Sequence, residues 1–199
     1  MTRNIGAFTR FLDVAGQRNA QIIEFSNISR ESSVPASTVK EYYSILEDTL
    51  LGSYLWPFGH NERKKSRPKF YFFDCGVVRS IQNRLEDPPT AQETGFLFET
   101  WLINEALRIR DYGNKSWNFS FWRERSHEVD LLITKGKTIL LAIECKTGSS
   151  YDKSSLYHFR ERFPGVEVVV VSLSDERPRK TEHAEVVPWR ELLHRLEGL

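Results

Sequence analysis

Glu128-Val129-Asp130-Leu131-Leu132-Ile133-Thr134, followed by Lys135-Gly136-Lys137 and then Thr138-Ile139-Leu140-Leu141-Ala142-Ile143-Glu144-Cys145-Lys146, reads as a β-hairpin. Its charged residues follow the pattern D-x13-E-x-K. Side chains alternate along a strand, so Glu144 and Lys146 share one face. Asp130 joins them only in the right register. A three-residue loop, Lys135-Gly136-Lys137, pairs Thr134 with Thr138 and Asp130 with Ala142, which leaves Asp130, Glu144 and Lys146 together. A two-residue loop with no bulge sends Asp130 to the opposite face.

Glu144 and Lys146 end a strand that begins with five apolar residues, Ile139 to Ile143. Burying a carboxylate and an ammonium there without a role is expensive. Two converging carboxylates suit Mg²⁺ or Mn²⁺, which prefer oxygen ligands, and a lysine beside them can orient water or offset charge on a phosphate. The plain alternative is a Glu144/Lys146 surface pair at a strand end. Glu99 bears on that choice. On a helical wheel it falls within the apolar arc of Phe98, Leu102, Ile103, Ala106 and Leu107, while Thr100, Asn104 and Arg108 form the polar stripe. A carboxylate facing the sheet is either a further ligand or half of a salt bridge to a buried arginine or to Lys146.

Around this hairpin the chain alternates helix and strand from about Gln92 onward. A helix is expected from Thr94 to Arg110, a strand from Trp117 to Trp122, and after the hairpin a helix from Ser155 to Phe163. A buried strand over Val166 to Ser172, a short strand over Glu185 to Val187 and a closing helix from Trp189 to Leu196 complete it. This is a mixed α/β pattern.

Before it, Glu86-Asp87-Pro88-Pro89-Thr90 interrupts the pattern and reads as a linker, giving domains over 1–86 and 92–199. In the first, Ala7 to Val14 reads as an amphipathic helix. Ser26 caps a short helix ending at Ser32, Ser33 to Ala36 is a turn, and Ser37 caps a second helix carrying Val39, Tyr42, Tyr43, Leu46 and Leu50. Strands at Tyr54 to Trp56 and Lys69 to Phe73 flank a basic loop. The plan is a winged helix-turn-helix. Its wing holds Arg63, Lys64, Lys65, Arg67 and Lys69, which can lie along a phosphate backbone. Lys40 on the second helix is a further candidate contact, but Glu41, Glu47 and Asp48 accompany it and repel phosphates. Packing against a partner or another domain is the other reading of this module.

The 199 residues, 40% apolar with 13 Phe, 7 Tyr and 5 Trp, exclude a disordered or low-complexity chain. Lys+Arg 28 against Asp+Glu 27 gives a sum that can hide local basic patches. No apolar run approaches the ~18 residues that span a bilayer, and no signal peptide follows Met1, so the expectation is a cytoplasmic protein without membrane contact. Cys75 and Cys145 form neither a disulfide framework nor a zinc pattern. Gly136-Lys137-Thr138 is no P-loop end, because Leu131 stands where that motif needs glycine. Trp117, Phe119 and Phe121 read as core, Cys145 as core, and His127 as a lone histidine without a partner. Arg123 could touch a phosphate or make a plain salt bridge.

Asp130 with Glu144-Cys145-Lys146, preceded by a helix bearing Glu99, resembles the signature of the PD-(D/E)xK nuclease superfamily. Gly95-Phe96-Leu97-Phe98-Glu99, Phe121-Trp122-Arg123, Glu128-Val129-Asp130 and Ile143 to Lys146 more closely resemble a domain of unknown function. That domain follows a winged helix in the C-terminal half of bacterial and archaeal AAA-type ATPases. The resemblance implies a restriction-endonuclease-like mixed sheet flanked by helices and divalent-metal phosphodiester hydrolysis. It makes Asp130, Glu144 and Glu99 the metal ligands and catalytic carboxylates, and Lys146 the catalytic lysine. Mg²⁺ or Mn²⁺ is the implied cofactor, nucleic acid, most simply DNA, the partner, and an ATPase module in cis or trans a second one. Val129 stands where the motif's name has proline, and the ATPase half has no counterpart here. A non-catalytic regulatory or interaction domain of such an ATPase is the alternative function.

Overall fold

The computed structural model describes residues 4–59, 67–148 and 153–199, which divide into two compact units. The first comprises 4–55 and 67–90, the second 56–59, 91–148 and 153–199. Both are built as the apolar spacing demands, and the fold is mixed α/β.

Helices α1 (Ile5–Gln17), α2 (Phe25–Ser32) and α3 (Ala36–Asp48) form the body of the first unit. Phe11 from α1 and Tyr43 from α3 meet edge to face at 4.9 Å, and both are buried. The helix starts differ from expectation. Glu24 and Pro35 occupy the N-cap positions rather than Ser26 and Ser37, and Ser33 between the helices takes a left-handed φ of 53°. A proline cap fixes an extended entry without any side-chain hydrogen bond, which a search for serine caps overlooks. Strand β1 (Gly52–Pro57) pairs antiparallel with β2 (Lys69–Phe72) from Gly52↔Phe72 to Leu55↔Lys69. Gly52 is required there, since a Cβ would lie 2.5 Å from the Phe70 ring. A seven-residue helix α4 (Cys75–Ile81) follows, capped by Asp74, whose Oδ1 accepts from the Val77 N–H at 3.0 Å.

The second unit opens with α5 (Ala91–Tyr112), so the helix begins directly after the prolines rather than at Thr94. Strands β3 (Asn118–Glu124), β4 (His127–Lys135) and β5 (Thr138–Lys146) form an antiparallel meander. Helix α6 (Ser154–Arg162) then crosses to β6 (Val168–Ser172), which lies parallel to β5. Strands β7 (Arg179–Lys180) and β8 (Glu185–Pro188) follow, with β8 parallel to β6, and α7 (Trp189–Gly198) closes the chain. Every residue of β6 is buried, as a parallel strand covered on both faces requires. On one face Leu156 and Phe159 of α6 pack with Trp122, Val129, Leu132, Ala142, Val168 and Val186. Helices α5 and α7 pack on each other, with Trp101 edge-on to Trp189 at 5.0 Å.

Two further details depart from the sequence expectation. Thr100 and Asn104 of α5 are buried rather than lining a solvent-facing stripe, and the Thr100 hydroxyl satisfies itself on the Phe96 carbonyl at 2.7 Å. Residues 56–59 belong to the second unit: Trp56 and Pro57 pair parallel with Ser120 and Phe121, and Phe58 packs edge to face on Phe163 at 5.7 Å.

Candidate active site

The hairpin register combines the two alternatives the sequence left open. The loop has two residues, Gly136-Lys137, between the paired Lys135 and Thr138, with Gly136 at φ 59° in the position where such loops favour glycine. A bulge then follows, because Thr134 pairs with Ile139 but Ile133 with Leu141, so Leu140 is the extra residue. The even loop and the bulge together restore the parity that puts Asp130 on the side of Glu144 and Lys146. The register pairs Leu132, not Asp130, with Ala142.

Pairing between β4 and β5 ends at Leu131↔Ile143. Beyond it β4 stays paired with β3 through Trp122↔Val129 and its neighbours, and β5 stays paired with β6 through Glu144↔Val170 to Lys146↔Ser172. The two central strands therefore fork, and the candidate residues stand at the fork. A second irregularity falls on Asp130 itself: between Ser120↔Leu132 and Trp122↔Val129, Phe121 alone faces Asp130 and Leu131. Such bulges turn a side chain out of the regular pleat. The Asp130 carboxylate takes the place of the missing ladder partner, and its Oδ2 accepts the Cys145 backbone N–H at 2.8 Å.

Asp130, Glu144 and Glu99 are each less than a tenth exposed. Lys146 Nζ lies 2.7 Å from Glu144 Oε1, while Glu144 Oε2 is buried with no hydrogen-bond partner. Burial pushes the Glu144 carboxyl up to about 8, the Asp130 charge pushes the same way, Lys146 opposes, and Glu99 adds a smaller push. Burial works against the Lys146 ammonium, but the adjacent Glu144 holds it above its usual range. The Cys145 thiol is raised by burial and then by Asp130 and Glu99, in keeping with its place in the core. Asp130, Glu144 and Lys146 are thus brought together, with Glu99 within their electrostatic reach. Among the described residues no group of three or more His, Cys, Asp or Glu side chains is disposed to hold a metal ion.

The other candidate residues are dispersed. Arg123 makes the plain salt bridge, to its cross-strand neighbour Glu128 at 3.1 Å. Lys40 holds its ammonium 5.3 Å from the centre of the Phe25 ring. Arg67 pairs with Glu24. Lys69 does not belong to an exposed wing: as a β2 residue paired with Leu55 it is only 4% exposed. Arg63, Lys64 and Lys65 lie outside the described residues. Trp117 and Phe121 are core. Sequence reasoning missed Ser155, whose hydroxyl accepts the Glu128 N–H at 3.3 Å and ties the start of α6 to β4 two residues before Asp130. No motif marks it.

Among the described residues no helix is long and apolar enough to cross a membrane. No curated protein and no solved structure matches the chain. Residues 1–87 match a family model described as a domain of unknown function (DUF8612). Residues 94–192, which contain the whole fork, match a second described as a domain of unknown function (DUF4143).

Proposed function

We propose that the chain is a divalent-metal-dependent nuclease, or a nuclease-like nucleic-acid-binding module, of the PD-(D/E)xK type. In this reading 92–199 is a restriction-endonuclease-like domain and 1–86 a winged helix-turn-helix that contacts nucleic acid. The observation that carries it is the fork between β4 and β5, where two buried carboxylates and a lysine meet and one oxygen, Glu144 Oε2, has no partner. An orphaned buried carboxylate oxygen is costly unless something cationic completes it. Mg²⁺ and Mn²⁺ fit this donor set, since they bind through one or two carboxylates and keep several waters.

Asp130 and Glu144 would hold the cation, with Glu99 adding negative field behind them. Bound there, a divalent cation supplies Lewis acidity toward a phosphodiester and a more acidic water. Asp130 is fixed for this task by the Cys145 N–H. Lys146 keeps about a third of its side chain exposed, while that of Glu144 is almost wholly covered. Lys146 orients an attacking water or offsets charge growing on the phosphate. Incubation with supercoiled plasmid, linear duplex and single-stranded DNA in Mg²⁺ or Mn²⁺, beside EDTA and Asp130→Ala controls, tests the reading. Cutting that needs metal and Asp130 supports it; cutting undiminished in both Asp130→Ala and Lys146→Ala removes this site from the reaction.

The exposed acids of α3, Glu41, Glu47 and Asp48, favour a second reading for the first unit. There the chain is a non-catalytic regulatory or interaction domain of an AAA-type ATPase, and the three-helix unit docks on protein. Weak, salt-insensitive association with DNA would support it, and steep loss of affinity with salt would exclude it.

A further inference from the structure

Between the β3–β4 turn and α6 lies a cavity of about 310 Å³, with Trp122 among its lining residues. Two imidazoles line it, His127 from β4 and His158 from α6, stacked at 3.8 Å between centroids and 14° between planes. The His158 Nδ1 lies 2.9 Å from the Ser154 carbonyl, so Nδ1 carries the proton and donates. Its Nε2 is the ring nitrogen left to meet a ligand.

Arg125 and Arg162 line the same cavity. Arg125 sits in the two-residue turn between Glu124 and His127 with a left-handed φ of 57°. Glycine or asparagine is the unstrained choice at such a position, and an arginine there holds its backbone in a disfavoured region. Neither guanidinium has a carboxylate within ion-pair range among the described residues, although two carboxylates are nearby. Glu161 is engaged by the Tyr157 hydroxyl, and Glu124 is the cross-strand neighbour of His127. Arg162 lies over the Phe163 ring, 5.7 Å from its centre, an arrangement that leaves its N–H edge available, so the cavity presents two guanidiniums without an ion-pair partner among the described residues beside two imidazoles, a donor set for an oxyanion.

We infer that His127, His158, Arg125 and Arg162 form a second phosphate-binding subsite, which grips the backbone of a nucleic-acid strand whose reacting phosphodiester lies at Asp130 and Glu144. This rests on the nuclease reading. His127 and Asp130 lie three residues apart on β4, about 10 Å at ~3.3 Å per residue. A single strand, which carries a phosphate at every nucleotide, is long enough to cover that span. One strand can thus occupy both places. Two separated grips also fix its direction, which a lone metal centre cannot do.

The 199-residue chain in EDTA, where no cutting competes, is titrated with a single-stranded oligonucleotide of about 12 nucleotides and, separately, with inorganic pyrophosphate. Imidazole NMR signals report occupancy, and anisotropy at several salt concentrations reports the number of phosphate contacts. Both His127 and His158 signals move with the oligonucleotide. The exposed double substitution Arg125→Gln/Arg162→Gln weakens binding about tenfold at low salt and flattens the log–log salt slope by about 1.4. The same responses persist in Asp130→Asn. If the wild type never cuts DNA but these responses hold, the subsite stands and the nuclease reading falls. Unmoved imidazole signals, or an unchanged slope in the double variant, overturn the subsite. Pyrophosphate acting as strongly as the oligonucleotide overturns its assignment to a strand.

Discussion

The backbone N–H of Cys145 donates to Asp130 Oδ2 at 2.8 Å, where β4 and β5 have just stopped pairing. Asp130 is thus both a structural acceptor and a candidate ligand, and two substitutions separate these roles. Asp130→Asn keeps an oxygen for the N–H, whereas Asp130→Ala leaves a buried donor unmet, at a cost of about 1–3 kcal/mol. Thermal melts should show Asp130→Ala falling by roughly 2–4 °C per kcal/mol and Asp130→Asn close to the wild type. Both should lose metal-dependent cutting. Equal melts for the two variants would mean that this hydrogen bond does not support the fork.

Glu144 links the site to pH. Its carboxyl titrates at about 8 in the folded chain, against an ordinary 4.5. Between these values the native state holds a proton that the unfolded chain releases, so stability falls as pH rises from about 4.5 through about 8. Glu144→Gln removes the buried charge while keeping the shape. It should melt several degrees above the wild type at and above pH 8, with the gap closing toward pH 4.5. A gap that widens on acidification would reverse the sign and discard the account.

Lys146 screens that same carboxylate. Lys146→Met removes its counter-charge, so the Glu144 carboxyl should titrate higher still. Cutting should fall by about 10²–10³-fold, the scale of losing one preorganised electrostatic partner. Binding of Mn²⁺, followed by calorimetry, should survive, because the carboxylates remain. Cutting at the wild-type rate in Lys146→Met would leave the lysine a purely structural partner of Glu144.

The acids of α3 discriminate between the two readings of the first unit. If α3 approaches nucleic acid, Glu41→Lys/Glu47→Lys removes two repulsions and adds two attractions. DNA affinity at low salt should then rise by at least about tenfold, with a steeper salt slope. If α3 docks on protein, affinity for DNA should stay flat. Electrophoretic mobility shifts across a salt series decide it.

The alternation of Glu144, Cys145 and Lys146 was legible because strand periodicity is a local property. The company of Asp130 was not secured in that way. It depends on a two-residue loop offset by Leu140 and on a second bulge at Asp130 itself, and no residue type announces either. Glu99 could be placed in a buried arc, yet Thr100 and Asn104 are buried as well, since α5 is covered on more of its circumference than an amphipathic wheel assumes. Helix α4 went unseen because seven residues are too few to show a period. The basic loop promised a continuous stripe, but Lys69 is held in β2 by pairing with Leu55, and its four methylenes suit an interior that its charge alone would rule out.

Residues 56–59 have a practical consequence for anyone dissecting the chain. The prolines at 88 and 89 invite a cut, and a fragment starting there would contain every residue of the fork. It would also lack the strand segment that lies along β3, and the Phe58 ring that covers Phe163. The bared edge of β3 would offer unpaired amides to the next molecule, the usual route to aggregation. Inactivity of such a fragment would then report the missing edge and not the chemistry of the fork. The C-terminal fragment must be tested with 56–59 restored, by fusion or as an added peptide.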